Sequence, residues 1–257
     1  MNQIVKNCLG CIDLTSLNAT DTETSIVSMV EKVNELPLHF PGLDNVAAVC
    51  VFPSFARIVR KRLTAPKVRL AVTGAGFPSS HTFLKIKVEE CKMAMDEGAD
   101  EIDIVLPLSL FLSQNHDMAI TEMAKIKKAI GETHLKVILE TGVLPNPESI
   151  ATASRIAMDA GADFIKTSTG KVSPAATPEA ATVMCQEIKG FYNKTGKKIG
   201  FKPAGGIVTV DDAIAYYTIV HDILGAEWLT PQLFRIGASR LTNNLLTAIT
   251  GREVSYF

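Results

Sequence analysis

No apolar run in this chain approaches the ~18 residues needed to cross a bilayer. The opening stretch, "MNQIVKNCLG", lacks the long apolar core of a secretory signal. Net charge is almost absent too: 26 basic residues against 27 acidic ones leave a formal charge of -1. Such a balance offers little to a nucleic-acid backbone or an anionic membrane surface, so neither is expected as a partner. These absences predict a soluble, intracellular protein. Cysteine is scarce, with five residues (Cys8, Cys11, Cys50, Cys91 and Cys185), an odd and scattered set that excludes a disulfide framework. Cys8 and Cys11 form a C-x-x-C with no second pair to complete a zinc site, and both are expected to be small buried thiols. Five histidines are far apart, with no H-x-H or H-x-x-x-H, so no metal or other cofactor is expected. Linkers, charge blocks and low-complexity segments are missing as well, which predicts one domain over residues 1–257.

What the chain does have is apolar material, 47% of its residues, arranged in a repeating order. Eight short apolar runs stand out: "GCIDLT" (10–15), "VAAVCVF" (46–52), "VRLAVTG" (68–74), "EIDIVLP" (101–107), "LKVILETG" (135–142), "FIKTS" (164–168), "IGFKPAGG" (199–206) and "LFRIGAS" (233–239). Most are too apolar for one-sided antiparallel strands and suit parallel strands covered by helices. Helical patterns lie between them. One begins near Asp21 and stops before Pro37; another places Leu84, Val88, Cys91 and Met95 on one face and ends at Gly98. Others fall near 117–130, 147–160, 178–193, 210–224 and 240–250. Eight strands alternating with helices over this length predict an α/β fold, a TIM (β/α)8 barrel with a short N-terminal extension. A doubly wound sheet is disfavoured, because no G-x-G-x-x-G follows the first strand.

An internal repeat sharpens the parsing. "GADEIDIV" from Gly98 and "GADFIKTS" from Gly161 put Asp103 and Lys166 at equivalent positions of the fourth and sixth strands. Alternate barrel strands feed the same interior layer, so these two are expected to face each other. Lys136, Lys166 and Lys202 all lie within apolar strands. A neutral lysine amine attacks a carbonyl and forms an imine, which becomes an electron sink once protonated. An ordinary lysine is neutral in only about one copy in 2,500 at pH 7, but burial and a neighbouring cation both raise that fraction. Lys166 and Lys202 sit on adjacent strands, and either is a candidate nucleophile at this point. Asp103 and Asp13 are candidate proton-transfer groups, whereas Glu140 is expected to pair with a neighbouring lysine. Glycine-rich turns "STGK", "AGG" and "GAS" follow the last three strands, where barrels often hold phosphate. Ser239 would cap the last helix or contact that phosphate, and Lys171 would add charge. Together these features predict carbonyl chemistry on a small phosphorylated sugar. An isomerase with a carboxylate base, or a non-catalytic sugar-phosphate binder, would use the same barrel but need no neutral amine.

"DFIKTSTGK", "GFKPAGG" and "RIGAS", with "CIDLT", "EIDIV" and "LKVILETG", resemble the deoxyribose-phosphate aldolases, a class I aldolase family, in order from about residue 10 to 245. The resemblance implies reversible cleavage of 2-deoxy-D-ribose 5-phosphate to D-glyceraldehyde 3-phosphate and acetaldehyde, in deoxyribonucleoside catabolism. It implies Lys166 as the Schiff-base lysine, Lys202 as the cation that depresses its pKa, and Asp103 as the acid/base residue. It places Asp13, Lys136 and Cys50 around the same site. Thr169, Gly170, Lys171, Gly205, Gly206, Gly237 and Ser239 match substrate- and phosphate-binding positions. It further implies a cytoplasmic homodimer. Two positions depart from the pattern: Val208 stands where relatives often carry arginine, and Arg240 where a second serine is frequent. Arg240 is therefore expected to supply part of the lost charge. The tail ends Tyr256-Phe257, and Tyr256 is a candidate to swing into the site.

Overall fold

In a computed structural model describing residues 2–257, eight short strands run parallel and pair in chain order. They are β1 (Ile12–Thr15), β2 (Ala48–Val51), β3 (Arg69–Thr73), β4 (Glu101–Val105), β5 (His134–Ile138), β6 (Phe164–Lys166), β7 (Gly200–Lys202) and β8 (Ile236–Ala238). β8 pairs with β1, and the ring closes on β7 where the Phe201 amide donates to the Leu233 carbonyl and the Gly237 amide to Pro203, each at 2.9 Å. The helices are α1 (Asn2–Gly10), α2 (Glu23–His39), α3 (Ala56–Arg62), α4 (Leu84–Asp96), α5 (Leu108–Leu112), α6 (His116–Ile130), α7 (Pro147–Asp159), α8 (Pro178–Thr195), α9 (Val210–Leu224) and α10 (Leu241–Thr250). The architecture is the predicted (β/α)8 barrel. None of the described helices is long and apolar enough to cross a membrane.

Strand parity explains where the core sits. Outward residues such as Ile12, Val49, Leu70, Ile102, Val137, Ile165 and Phe201 join one apolar cluster with the helices. The inward rows are instead small or charged: Asp13, Ala48, Cys50, Ala71, Glu101, Asp103, Lys136, Lys166 and Lys202. Hydrophobic stabilisation therefore lies between barrel and helices, leaving the barrel's interior for chemistry. Phe164 fills part of that interior because Gly200 faces it; a Cβ at Gly200 would come within 2.3 Å of the Phe164 ring.

Several local expectations need correction. Helix α2 runs through Pro37 to His39 rather than stopping before it. Proline cannot donate to the carbonyl four residues back. That carbonyl, on Val33, accepts from the Asn45 side-chain amide at 2.8 Å instead. In α4 the deepest residues are Lys87, Cys91 and Ala94, so the buried face is rotated from the one predicted, and Leu84, Val88 and Met95 are half-buried. The aliphatic stem of Lys87 packs inward and its ammonium reaches Ser80 Oγ at 2.9 Å and the Glu122 carboxylate. Helices α3 and α5 were not anticipated; at 7 and 5 residues they are too short to show a period. The N-terminal extension is helix α1, where the Asn7 amide donates to the Tyr217 hydroxyl on α9 at 3.0 Å. All five cysteines are buried and unpaired, and burial pushes the Cys8 and Cys11 thiols up to about 12.

Candidate active site

Three interior lysines converge on one carboxylate. Asp103 is in register with Lys136 on one side and Thr73 on the other, and Lys166 is in register with Lys202. Across the barrel, Lys166 Nζ donates to Asp103 Oδ2 at 3.1 Å, as the repeat predicted. Lys202 Nζ donates to the same oxygen at 2.8 Å, and Lys136 Nζ to Oδ1 at 2.9 Å. Lys202 also pairs with Asp13 Oδ2 at 2.6 Å. Below them, Lys136 meets Glu101, and Arg235 reaches Asp13 Oδ1 at 2.6 Å and both oxygens of Glu101 at 2.7 and 3.1 Å. Lys136 and Arg235 flank the Phe164 ring, at 6.0 and 5.7 Å from its centre.

The environments separate the lysines. Burial, and then the charge of Lys202, hold the Lys166 amine below the ordinary lysine range against the pull of Asp103. Burial opposes the charge on Lys202 as well, but Asp103 and Asp13 outweigh it and raise its pKa. Lys136 follows Lys202: burial is outweighed by Asp103 and Glu101. Asp103, despite burial, is held well below the carboxylate range by Lys136, Lys202 and Lys166. One amine in the cluster is thus biased toward its free base, and it is Lys166.

Lys166 opens into a cavity of about 210 Å³ at the C-terminal ends of the strands. The ends of β1 and β8 and the loops after β1, β6, β7 and β8 wall it: Thr15, Leu17 and Asn18; Thr169, Gly170 and Lys171; Gly205, Gly206 and Val208; Gly237, Ser239 and Arg240. Gly205, at φ +85°, lies against Gly170, and a Cβ there would meet Ala175 Cβ at 2.8 Å and Gly170 Cα at 3.0 Å. The close approach of the loops after β6 and β7 therefore needs a glycine. A Cβ at Gly237 would stand 3.1 Å from Lys202 Cε and 2.8 Å from Ala204 Cβ, so its absence leaves room for the Lys202 stem. The N-terminus of α9 is closed by the Thr209–Asp212 capping box, whereas Arg240 at the N-cap of α10 makes no side-chain cap. Ser239 does not cap α10, and Ser239 and Arg240, the two residues before that helix, line the cavity, where the N-terminal end of the helix favours an anion. On another side, Leu17, Cys50 and Ala71 form a small apolar cluster with Phe52 and Phe77, whose rings meet edge-on at 6.2 Å. Burial raises the Cys50 thiol.

Two expectations fail here. Glu140 pairs with no lysine. It leaves β5 in a left-handed conformation (φ 55°, ψ 55°), which carries it off the inward row toward the next loop. There it accepts from Thr169 N at 3.0 Å and from the Thr169 hydroxyl. Thr169 in turn accepts from Lys171 N at 3.0 Å, and Lys171 Nζ is held by the Leu17 carbonyl. Tyr256 does not enter the site: its hydroxyl donates to the Lys32 carbonyl at 2.7 Å and its ring packs on His39 and Phe40. Asn243 pins the tail by accepting from the Tyr256 and Phe257 amides, both at 3.0 Å. Glu101 and Arg235 escaped the sequence reading, although parity marks both, each two residues before an inward position (Asp103 and Gly237).

Comparison with known proteins agrees with this geometry. The DeoC/LacD family aldolase pattern matches residues 8–243. The chain is 43% identical over 260 residues to deoxyribose-phosphate aldolase from Homo sapiens, covering 95% of this chain and 81% of that one. The Bos taurus enzyme of the same name is 41% identical over 261 residues, covering 96% and 82%. The tetrameric deoxyribose phosphate aldolase structure from Aeropyrum pernix superposes with a TM-score of 0.74 at 22% identity, covering 95% of this chain and 92% of that one, a likeness of fold. A match that begins in the N-terminal helix and ends in the first turn of α10 takes in every strand of the barrel, and the chain belongs to the DeoC/LacD family of aldolases.

Proposed function

We propose that this protein is a class I aldolase that reversibly cleaves 2-deoxy-D-ribose 5-phosphate to D-glyceraldehyde 3-phosphate and acetaldehyde. The observation that carries this reading is the buried Lys166 amine, biased to its free base and hydrogen-bonded to Asp103, at the floor of the glycine-lined cavity. Lys166 attacks the C1 aldehyde, water leaves, and a protonated imine forms. A base takes the C3 hydroxyl proton, the C2–C3 bond breaks, and its electron pair moves into the imine to give an enamine and glyceraldehyde 3-phosphate. Protonation at C2 and hydrolysis then release acetaldehyde and the free lysine. Asp103 serves the proton transfers with Lys202 as its partner at 2.8 Å. Asp13 and Lys136 hold this group from below.

In the same reading the phosphate lies among Gly170, Lys171, Gly205, Gly206, Gly237 and Ser239, with the α10 N-terminus and Arg240 as further positive ends. Arg240 makes no ion pair among the described residues, which leaves its charge for the ligand. The acetaldehyde carbons face Cys50 and its apolar neighbours. We further read the protein as cytoplasmic, acting in deoxyribonucleoside breakdown, and homodimeric. Exposed Phe83, Ile86 and Met93 at and along α4 support self-association. Light scattering on the purified protein should return the mass of two 27.7 kDa chains. The central test is borohydride reduction in the presence of acetaldehyde, followed by peptide mass analysis, beside an assay of deoxyribose 5-phosphate cleavage. A two-carbon adduct on Lys166 is expected. Turnover by Lys166→Ala at the wild-type rate would reject the mechanism.

A further inference from the structure

Seven carboxylate, lysine and arginine side chains are buried along the barrel axis: Asp13, Glu101, Asp103, Lys136, Lys166, Lys202 and Arg235. If all were charged, four cations would face three anions. An uncompensated charge in such a place is costly, so one of the four cations should be neutral. The pairing pattern ranks them. Arg235 holds Asp13 at 2.6 Å and both oxygens of Glu101 at 2.7 and 3.1 Å. Lys136 shares Glu101 and Asp103, and Lys202 shares Asp13 and Asp103. Lys166 has a single carboxylate contact among the described residues, at 3.1 Å, to an oxygen that Lys202 already engages at 2.8 Å. It is the weakest-held cation of the four. Arginine does not lose its proton in a protein, so the missing proton must come from a lysine.

We propose that Arg235 is a positioning residue for the reaction: its permanent charge at the base of the barrel occupies Asp13 and Glu101 and leaves Lys166 as the free amine. The proposal rests on the reading of Lys166 as the imine former. Arg235 lies immediately before β8 and does not line the cavity, so it acts only through the network. The groups facing Lys166 from other elements are few. They are Asp13 on β1, Cys50 on β2, Glu101 and Asp103 on β4, Lys136 on β5, Lys171 on the loop after β6, Lys202 on β7, and Arg235 just before β8. β3 contributes only Ala71 and Thr73, which do not titrate. Replacing Arg235 by a neutral residue of similar length leaves three lysines against three carboxylates, and protonating Lys166 then restores balance. Replacing Glu101 by glutamine does the reverse, deepening the positive excess and favouring the free amine.

The test is the pH dependence of acetaldehyde trapping at Lys166 by borohydride in the wild type, Arg235→Met, Arg235→Lys and Glu101→Gln. Arg235→Met should move the acidic limb up by roughly one pH unit, lowering labelling about tenfold at pH values below the limb's midpoint. Arg235→Lys should restore most of it. Glu101→Gln should move the limb to lower pH, and this arm stands even if Arg235→Met fails to fold. A purely structural role for Arg235 would lower yield or rate without shifting the two limbs in opposite directions. Unmoved limbs, or limbs that move the same way, would overturn the proposal. Absence of label on wild-type Lys166 would instead sink the imine reading beneath it.

Discussion

Asp103→Asn is the substitution that separates the two halves of the proposed chemistry. The carboxylate takes lysine Nζ atoms at 2.8, 2.9 and 3.1 Å, two of them on one oxygen. Asparagine keeps the shape but offers one acceptor oxygen, and its NH2 group must face at least one ammonium. Breaking a buried charge pair costs about 3–5 kcal/mol. For a chain of this size that lowers Tm by on the order of 6–20 °C, which leaves the variant folded at 20 °C. Loss of general acid–base catalysis should lower kcat by about 10²–10⁴-fold, or about 3–5.5 kcal/mol of barrier. Imine formation should respond the other way. Asp103 raises the Lys166 pKa, so its removal leaves the amine more fully neutral, and the acidic limb of trapping moves to lower pH. The assay is therefore paired: borohydride trapping with acetaldehyde at pH 7, and cleavage of deoxyribose 5-phosphate under the same conditions. Trapping should persist while cleavage collapses. A parallel fall of both, or a drop in cleavage of less than about tenfold, would refute the assignment of Asp103 to proton transfer.

Lys166→Met and Lys202→Met should have opposite effects on stability. Folding depresses the Lys166 pKa, so below the ordinary lysine pKa the amine disfavours the folded state; methionine should raise Tm at neutral pH while abolishing trapping. Lys202 is raised by Asp103 and Asp13, its contribution is present below the ordinary lysine pKa, and its loss should cost about 3–5 kcal/mol in urea unfolding. Arg240→Ala should raise KM for deoxyribose 5-phosphate several-fold and leave the reaction of unphosphorylated deoxyribose unchanged; an unaltered KM would mean that the arginine has no part in the phosphate site. Removing residues 256–257 should leave kcat within about threefold, since Tyr256 is tied to Lys32 rather than to the cavity, and should lower Tm slightly. A loss of one hundredfold in kcat would show that the docked tail is not its working position.

Much of this architecture follows from local pattern. The short, nearly continuous apolar runs, the helical stretches between them and the glycines behind the last three strands define a barrel and the end that carries its chemistry. Each signal is read within a dozen residues, because backbone geometry and burial impose it locally. The repeat from Gly98 and Gly161 even anticipated a contact spanning 63 residues, that between Asp103 and Lys166. Pro37 and the face of α4 were misread because the partner that decided each, Asn45 for one and Glu122 for the other, lies outside the helix concerned.

What the sequence determined alone was therefore the inward row of each strand, which alternation assigns until the backbone leaves the strand, as it does at Glu140. What only the tertiary structure decided was how their charges are shared. Asp103 accepts from three lysines, Arg235 spans Asp13 and Glu101 over 222 and 134 residues of chain, and Glu140 turns away to Thr169. Protonation in a buried network depends on distances among all its members and on their total charge. No single strand carries that sum, and so the distinction between Lys166 and Lys202 emerges only when the barrel closes.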